Sequence, residues 1–357
     1  VKIAIAAGGT AGHVVPALAI ADALRAEGAD VEFVGGERAE AELVPAAGYP
    51  IHALRVAGID RRDPLKAARA VGLALRATGR ARRLLREIGA DAVIGGGGYV
   101  AGPVGLAARS LRLPLVLTEA DSHMGIANRL LAPLAERVFL AFPLQGRDGR
   151  RYEVVGRPIP AATLAADRAV ARERLGIAPG ERCLLVFGGS LGARTVNDAA
   201  LDAFGAAAPF AVLHACGRRD HEDLAARLAQ LGSPSHYHLD AYVQPFADAL
   251  AAADLTVARS GGSVFEVAAA GLPSILVPYP HATADHQTLN ARHLADAGAA
   301  VVVPDAELDG PRLAREVGAL LADESRFRAM ERAALAVARP DAAERIAREV
   351  LALGGAR

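Results

Sequence analysis

The 357-residue chain has no tryptophan and two cysteines, and its 40 Lys+Arg balance 40 Asp+Glu to a formal net charge of zero. Two cysteines cannot build a disulfide framework. Cys183 and Cys216 both lie in apolar, strand-like runs, where they read as small buried hydrophobes in a reducing compartment. A zero balance excludes a chain built mainly to coat nucleic acid, and no nucleic-acid partner is expected. Long apolar runs are also missing. The longest uncharged ones, residues 92–108 and 267–284, are broken by glycine or proline, so no membrane-spanning helix is expected. Residues 1–7 read as a strand passing into a glycine turn, so no secretory signal is expected there. Lysine occurs only at Lys2 and Lys66, and no Gly-Lys-Ser/Thr sequence exists, which excludes P-loop hydrolysis. No glycine turn spells G-x-G-x-x-G, and the second strand ends in Gly35-Gly36 without an acidic residue to hold a ribose, which excludes hydride transfer. There is no D-x-D triplet. His281 and His286 lack a clear third ligand, as do His236 and His238, so neither a metal nor a cofactor is expected.

The composition, 52% hydrophobic and 22% charged, is that of an ordinary globular protein, and the length suggests two domains. Short β-branched runs alternate with helix-length segments, the pattern of parallel sheets covered on both faces. The first half supplies strands at 3–7, 31–34, 92–94, 115–117, 138–140 and 152–155. The second supplies them at 183–187, 211–214, 236–239, 255–258, 274–277 and 300–303. The glycine- and proline-rich segment 156–160 reads as a linker. Domains are therefore expected at 1–157 and 158–339, with a terminal helix at about 340–357 packing back on the first. Both halves open alike: a strand, then Gly8-Gly9-Thr10-Ala11-Gly12 and a helix over 16–27, or Gly188-Gly189-Ser190-Leu191-Gly192 and a helix from about Ala193. Such turns present bare N–H groups and a positive helix end to a phosphate.

The zero balance hides a split. Residues 1–157 carry 21 basic and 16 acidic side chains, net +5, and residues 158–357 carry 19 and 24, net −5. The stretch from Arg61 to Arg86 holds nine basic residues, one acidic residue and interleaved leucines. It can be a solvated helix with one face on the core, or it can lie on an anionic membrane.

Several residues are placed for chemistry. His13 follows the first glycine turn, just ahead of Pro16, which suits a first helical position. There it can serve as a general base or merely cap the turn. Gly95 to Gly98 and Tyr99 follow a buried strand, where glycine allows close approach of a ligand. In the segment beginning Arg259-Ser260-Gly261-Gly262-Ser263, Ser263 and Glu266 have capping-box spacing, and Glu266 can equally bind the paired hydroxyls of a ribose. The polar loop over 278–290 is rich in imidazole and amide groups, which suit sugar hydroxyls.

Together the strings GGTAGHVVPALAIADAL, GGGGYVAGPVGLAA, TEADSHMGIANRLLA, GGSLGARTVN, ARSGGSVFEVAAAGLP and VPYPHATADHQTLNARHLADAGAA closely resemble the MurG family. Members transfer N-acetylglucosamine from its UDP derivative to undecaprenyl-diphosphate-linked muramyl peptide (lipid I). The resemblance covers nearly the whole chain. It implies a GT-B fold, two Rossmann-like doubly wound domains facing across a cleft. The donor, UDP-N-acetylglucosamine, would meet Gly189, Ser190, the Val243 backbone, Arg259, Gly262, Ser263, Glu266, His286 and Gln287. The acceptor would meet Thr10, Ala11, Gly12, Gly96, Gly97, Gly98, Tyr99 and Asn128, with His13, or else Glu119, activating its hydroxyl. Members commonly carry Gly-Asn-Pro-Val-Arg at the domain junction. Here it reads Gly156-Arg157-Pro158-Ile159-Pro160, which implies Arg157 as the cation on the diphosphate. Metal-independent inversion at the cytoplasmic face of the bacterial membrane would follow, the net +5 half meeting anionic lipid through the Arg61 to Arg86 stretch. Two alternatives are a UDP-sugar transferase acting on diacylglycerol and a non-catalytic nucleotide-sugar sensor.

Overall fold

The computed structural model describes residues 1–56, 64–189 and 192–355, with backbone alone for 64–75 and for Thr283. It divides into two compact units, Val1–Pro160 with Arg339–Arg357, and Ala161–Ala338.

The first unit holds a sheet of β1 (Lys2–Ala6), β2 (Asp30–Gly35), β3 (Ile51–Ala53), β4 (Ala92–Gly95), β5 (Leu115–Glu119), β6 (Arg137–Leu140) and β7 (Tyr152–Val154). Its order is β3-β2-β1-β4-β5-β6-β7, parallel throughout. β1, β4 and β5 are buried on both faces, which is why they read as continuous apolar runs rather than alternating ones. β3 has no such run, and the sequence pattern did not reveal it. One core layer joins the helix Ala11–Ala26 to the terminal helix Ala342–Gly355 through Ile20, Leu24, Ile346 and Val350. The other layer is closed by the helices Pro64–Ile88 and Gly98–Ser110.

The second unit repeats the plan with β8 (Cys183–Phe187), β9 (Ala211–Ala215), β10 (Tyr237–Asp240), β11 (Leu255–Ala258), β12 (Ser274–Leu276) and β13 (Ala300–Val302), ordered β10-β9-β8-β11-β12-β13 and parallel throughout. Two parallel doubly wound sheets are the fold class the sequence implies.

The segment 156–160, expected as the linker, is packed, and the leading stretch of the first unit ends with it at Pro160. Residues 156–159 are buried, and a Cβ on Gly156, whose φ is +89°, would collide with the Arg339 side chain. Of the basic stretch, Arg61 and Arg62 lie outside the described residues, as do the side chains of Lys66 and Arg69. From there Ala77, Ala81, Leu85 and Ile88 face the core while Arg76, Arg80, Arg82, Arg83 and Arg86 are exposed.

Candidate active site

In the first unit the sheet order turns outward in opposite directions from β1 and β4, the position at which doubly wound sheets open a crevice at their carboxyl ends. His13 stands over it. The helix after β1 starts at Ala11, not near Pro16, so His13 lies within its first turn and Pro16 lies inside it. The imidazole rests on the β4 loop: a Cβ on Gly97, whose φ is +84°, would come within 2.8 Å of His13 Cδ2. The Thr10 hydroxyl lies 3.3 Å from Nδ1. An Nδ1–H donated to it leaves Nε2 as the basic nitrogen. Burial lowers the His13 pKa below the ordinary imidazole value; Asp121 and Glu40 oppose this, while Arg157 and His123 add to it. The ring is therefore neutral, and available as a base, at neutral pH.

Pro16 has no N–H, so the Gly12 carbonyl loses its helical donor. Arg157 replaces it. Its Nη2 donates to Gly12 O at 2.6 Å and its Nη1 to Ala120 O at 3.0 Å, from a buried position. The guanidinium expected on the donor diphosphate thus bonds two first-unit carbonyls and couples the start of the helix after β1 to the loop after β5.

Glu119, expected as the alternative base, is buried at the end of β5. Its Oε2 accepts from Gly125 N and Asn128 Nδ2, both at 2.9 Å, and its Oε1 from Asp121 N at 3.4 Å. Burial outweighs these donors and raises its pKa. It shapes the loop that holds Asp121 and His123 near His13. Asn128, expected to face the ligand, is buried beneath that loop and donates to Thr118 O at 3.0 Å. Thr10, Ala11 and Gly12 are exposed, and Gly96 is packed between Ala7 and Ala17. Gly98, with φ +75°, has its Cα against the Gly8 carbonyl, where no Cβ fits.

The residue that sequence reasoning missed is Glu40, which is fully buried. Its Oε2 accepts from Gly9 N at 2.9 Å, and its Oε1 accepts from Gly36 N and the Tyr99 hydroxyl, both at 2.9 Å. Burial opposes ionisation, but these donors together hold the carboxyl pKa below its usual value. Of the first glycine turn, whose N–H groups the sequence suggested for a phosphate, the Gly9 N–H is therefore taken by a carboxylate of the protein. The only trace in the sequence is Gly35-Gly36, where a Cβ at either position would fall about 2.8 or 2.9 Å from Glu40 or a neighbouring side chain, or closer still to Tyr99.

In the second unit the equivalent crevice lies between β8 and β11. Gly188 has its Cα against Ala193 N, and Gly189 (φ +86°) is exposed. Ser190 lies outside the described residues. At the end of β11, Arg259 donates to the carbonyls of Val277 and Pro278 at 3.2 Å each and pairs with Asp305 at 2.5 Å. All three contacts are made by Nη1. Ser260 Oγ donates to Gln287 O at 2.8 Å, and Asn290 Nδ2 donates to Ser260 O at 3.0 Å, which ties this loop to the helix His286–Asp296. The Gln287 side-chain oxygen accepts from Tyr279 N at 3.0 Å, which leaves its NH2 to donate elsewhere. His286 is half-buried beside it. Ser263 and Glu266 do not form the expected capping box. Ser263 is itself helical (φ −61°, ψ −12°), and its side chain makes no cap bond. Glu266 and Gly262 are half-buried at that helix start, and Val243 is buried in the loop after β10.

Residues 3–140 match the glycosyltransferase family 28 N-terminal domain and residues 183–346 its C-terminal domain. The UDP-N-acetylglucosamine--N-acetylmuramyl-(pentapeptide) pyrophosphoryl-undecaprenol N-acetylglucosamine transferase of Acidithiobacillus ferrooxidans is 44% identical, over 99% of this chain and 98% of its own. The enzyme of that name from Moorella thermoacetica is 41% identical, over 98% of both chains. The crystal structure of Acinetobacter baumannii MurG aligns with a TM-score of 0.77 at 30% identity, over 98% of this chain and 99% of that one. The chain belongs to the MurG family. Among MurG relatives it carries a full-length match, so both units lie within the family's span, including the loops around His13 and Glu266. A calicheamicin glycosyltransferase, CalG4, shares the fold at TM-score 0.68 and 19% identity.

Proposed function

We propose that this chain is an inverting glycosyltransferase that moves N-acetylglucosamine from UDP-N-acetylglucosamine to the muramyl peptide of lipid I, giving lipid II. The observation that carries the reading is the match at 41–44% over nearly the full length of relatives bearing that one activity.

The site chemistry supports it. Inversion requires a base on the acceptor hydroxyl and charge stabilisation on the departing diphosphate. His13, kept neutral by burial and braced at Nδ1 by Thr10, serves as the base through Nε2. The proton passes from the acceptor hydroxyl to Nε2 as the oxygen attacks the anomeric carbon and UDP leaves from the opposite face. Glu119 and Arg157 act through the loops they hold. In the second unit, the Gly188 to Gly192 turn and the start of the helix Arg194–Phe204 receive the diphosphate. Glu266 takes the ribose hydroxyls, Val243 the base edge and Gln287 the sugar.

No helix among the described residues is long and apolar enough to cross a membrane. We assign the protein to the cytoplasmic membrane face, held peripherally by the first unit. Its exposed Arg76, Arg80, Arg82, Arg83 and Arg86 lie on a helix packed beside Gly98–Ser110. That second helix and its neighbour Ile126–Leu131 expose Leu106, Ile126 and Leu130 together with Arg109 and Arg129, an apolar surface with a basic margin.

The test is transfer of labelled N-acetylglucosamine to a short-chain lipid I analogue, with diacylglycerol offered in parallel. Transfer to the muramyl lipid is expected. UDP binding without transfer would sink the assignment in favour of a sensor, and transfer only to diacylglycerol would name the other acceptor.

A further inference from the structure

Beneath the second glycine turn runs a buried polar chain that the mechanism above does not use. His214, in β9, is fully buried. Its Nδ1 lies 2.8 Å from the Tyr237 hydroxyl and its Nε2 lies 3.0 Å from Asn197 Oδ1. The Asn197 amide nitrogen donates to Cys216 O at 2.9 Å and to Asp220 Oδ2 at 3.0 Å.

The direction of every bond in this chain is fixed by its ends. Cys216 O and the Asp220 carboxylate only accept, so Asn197 must turn its NH2 toward them and its oxygen toward His214. That oxygen needs a donor, so the proton of the neutral imidazole sits on Nε2. Nδ1 is then bare and accepts from the Tyr237 O–H. Burial with no compensating charge pushes the His214 pKa down to about 3, so the ring holds this one tautomer across the physiological range.

The far end of the chain meets the turn. Gly192 (φ +75°) has its Cα against two atoms, and a Cβ there would collide with Cys216 O and lie 3.4 Å from Asp220 Oδ2. These are the two atoms to which Asn197 donates. Asp220 is held from the other side by Arg219 Nε at 2.9 Å and Arg194 Nη2 at 3.4 Å. Arg194 opens the helix that follows the turn.

We infer that Tyr237, His214 and Asn197 form a positioning relay for the donor turn, setting nucleotide affinity by fixing the Cys216 carbonyl and the Asp220 carboxylate on which Gly192 rests. The inference rests on the reading of this turn as the UDP diphosphate site. None of the three is a catalytic residue. They act through the Gly192 backbone, and all three lie in the second unit.

The experiment uses the full chain with three variants, His214→Leu, His214→Gln and Tyr237→Phe. It reads UDP affinity by calorimetry, KM for both substrates, and Tm. His214→Leu leaves the Asn197 oxygen without a donor, and UDP Kd and KM for UDP-N-acetylglucosamine are expected to rise about tenfold with the acceptor KM unchanged. Tyr237→Phe keeps the shape and removes only the O–H, for a rise of about threefold. His214→Gln, whose amide N–H replaces Nε2–H, is expected to return UDP affinity to within about twofold of wild type. Lower Tm with UDP affinity unchanged in His214→Leu and Tyr237→Phe would overturn the relay, and so would equal rises in both KM values. If His214→Leu does not fold, Tyr237→Phe decides by the same readings. Failure of the wild type to bind UDP at all would instead remove the donor-site reading, and the relay with it.

Discussion

In the first unit the amide of Gly9 is bonded to Glu40, a carboxylate supplied by the protein. In the second unit the nearest carboxylate, Asp220, lies under Gly192 and is bonded to Arg219, Arg194 and Asn197. The two strings, 8–12 and 188–192, have the same length and nearly the same residues, but the helix starts at Ala11 in the first and only at Arg194 in the second. The first is filled from inside and offers a neutral histidine at its rim. The second is braced from below, with an exposed glycine at its tip. An amide already bonded to a carboxylate has no N–H left for an incoming phosphate. The proposed function puts base chemistry on the first turn and anion binding on the second, and this difference in partners supports that division.

The largest test of that division is His13→Ala. Loss of a general base is expected to lower kcat by about 10²–10⁴-fold, with UDP Kd unchanged by calorimetry; a matching loss of UDP affinity would mean the two turns are not separate in role. Replacing Arg80, Arg82 and Arg83 together with Ser is expected to weaken binding to anionic liposomes at low salt by about a hundredfold, at about 1 kcal/mol for each arginine near the surface. Cosedimentation that does not change would return that helix face to plain solvation.

Glycine exchanges sharpen the comparison further. Gly98→Ala, against the Gly8 carbonyl, should raise the acceptor KM by about tenfold and spare UDP binding, whereas Gly188→Ala, against Ala193 N, should do the reverse. Crossed effects would break the assignment. Glu40→Gln sets an NH2 group against either Gly9 N or Gly36 N, and a loss of about 2–3 kcal/mol in urea unfolding is expected.

The smallest effects are in pH. His13 has a lowered pKa, so the acid limb of kcat/KM should fall with an apparent pKa below 6.5. A limb at or above 6.5 would contradict that lowering. His214 is neutral when folded down to about pH 3, while the unfolded imidazole protonates near 6.5. The unfolded state therefore binds the extra proton as pH falls. Stability is full above about 6.5 and drops by about 2 kcal/mol between pH 7 and 5 from this group alone. His214→Gln should remove that component of the pH dependence.

Much of this protein was legible from residue order. Buried parallel strands need apolar residues on both faces, so β1, β4, β5, β8 and β11 announced themselves, and with them the two-unit plan. β3 did not, since Ile51–Ala53 is half exposed and held mainly by pairing with β2. The loops that carry His13, Tyr99, Glu266 and Gln287 were legible because glycine and polar clusters after strands mark the carboxyl ends of a doubly wound sheet. Partnership was not legible. Nothing singled out Glu40, the carbonyl partners of Arg157 could not be read, and Ser263 with Glu266 looked like a capping box.

What the sequence determined by itself is therefore the alternation of strand and helix, the positions of the turns and the family. Each follows from local pattern. Which turn N–H groups are already occupied, which arginines are bound to backbone carbonyls, and which tautomer His214 must hold were decided only by tertiary structure. Those depend on groups 31 residues apart for Glu40 and Gly9, 145 for Arg157 and Gly12, and 17 for His214 and Asn197. A buried donor or acceptor takes whichever partner folding brings within about 3 Å, and no local pattern records that choice.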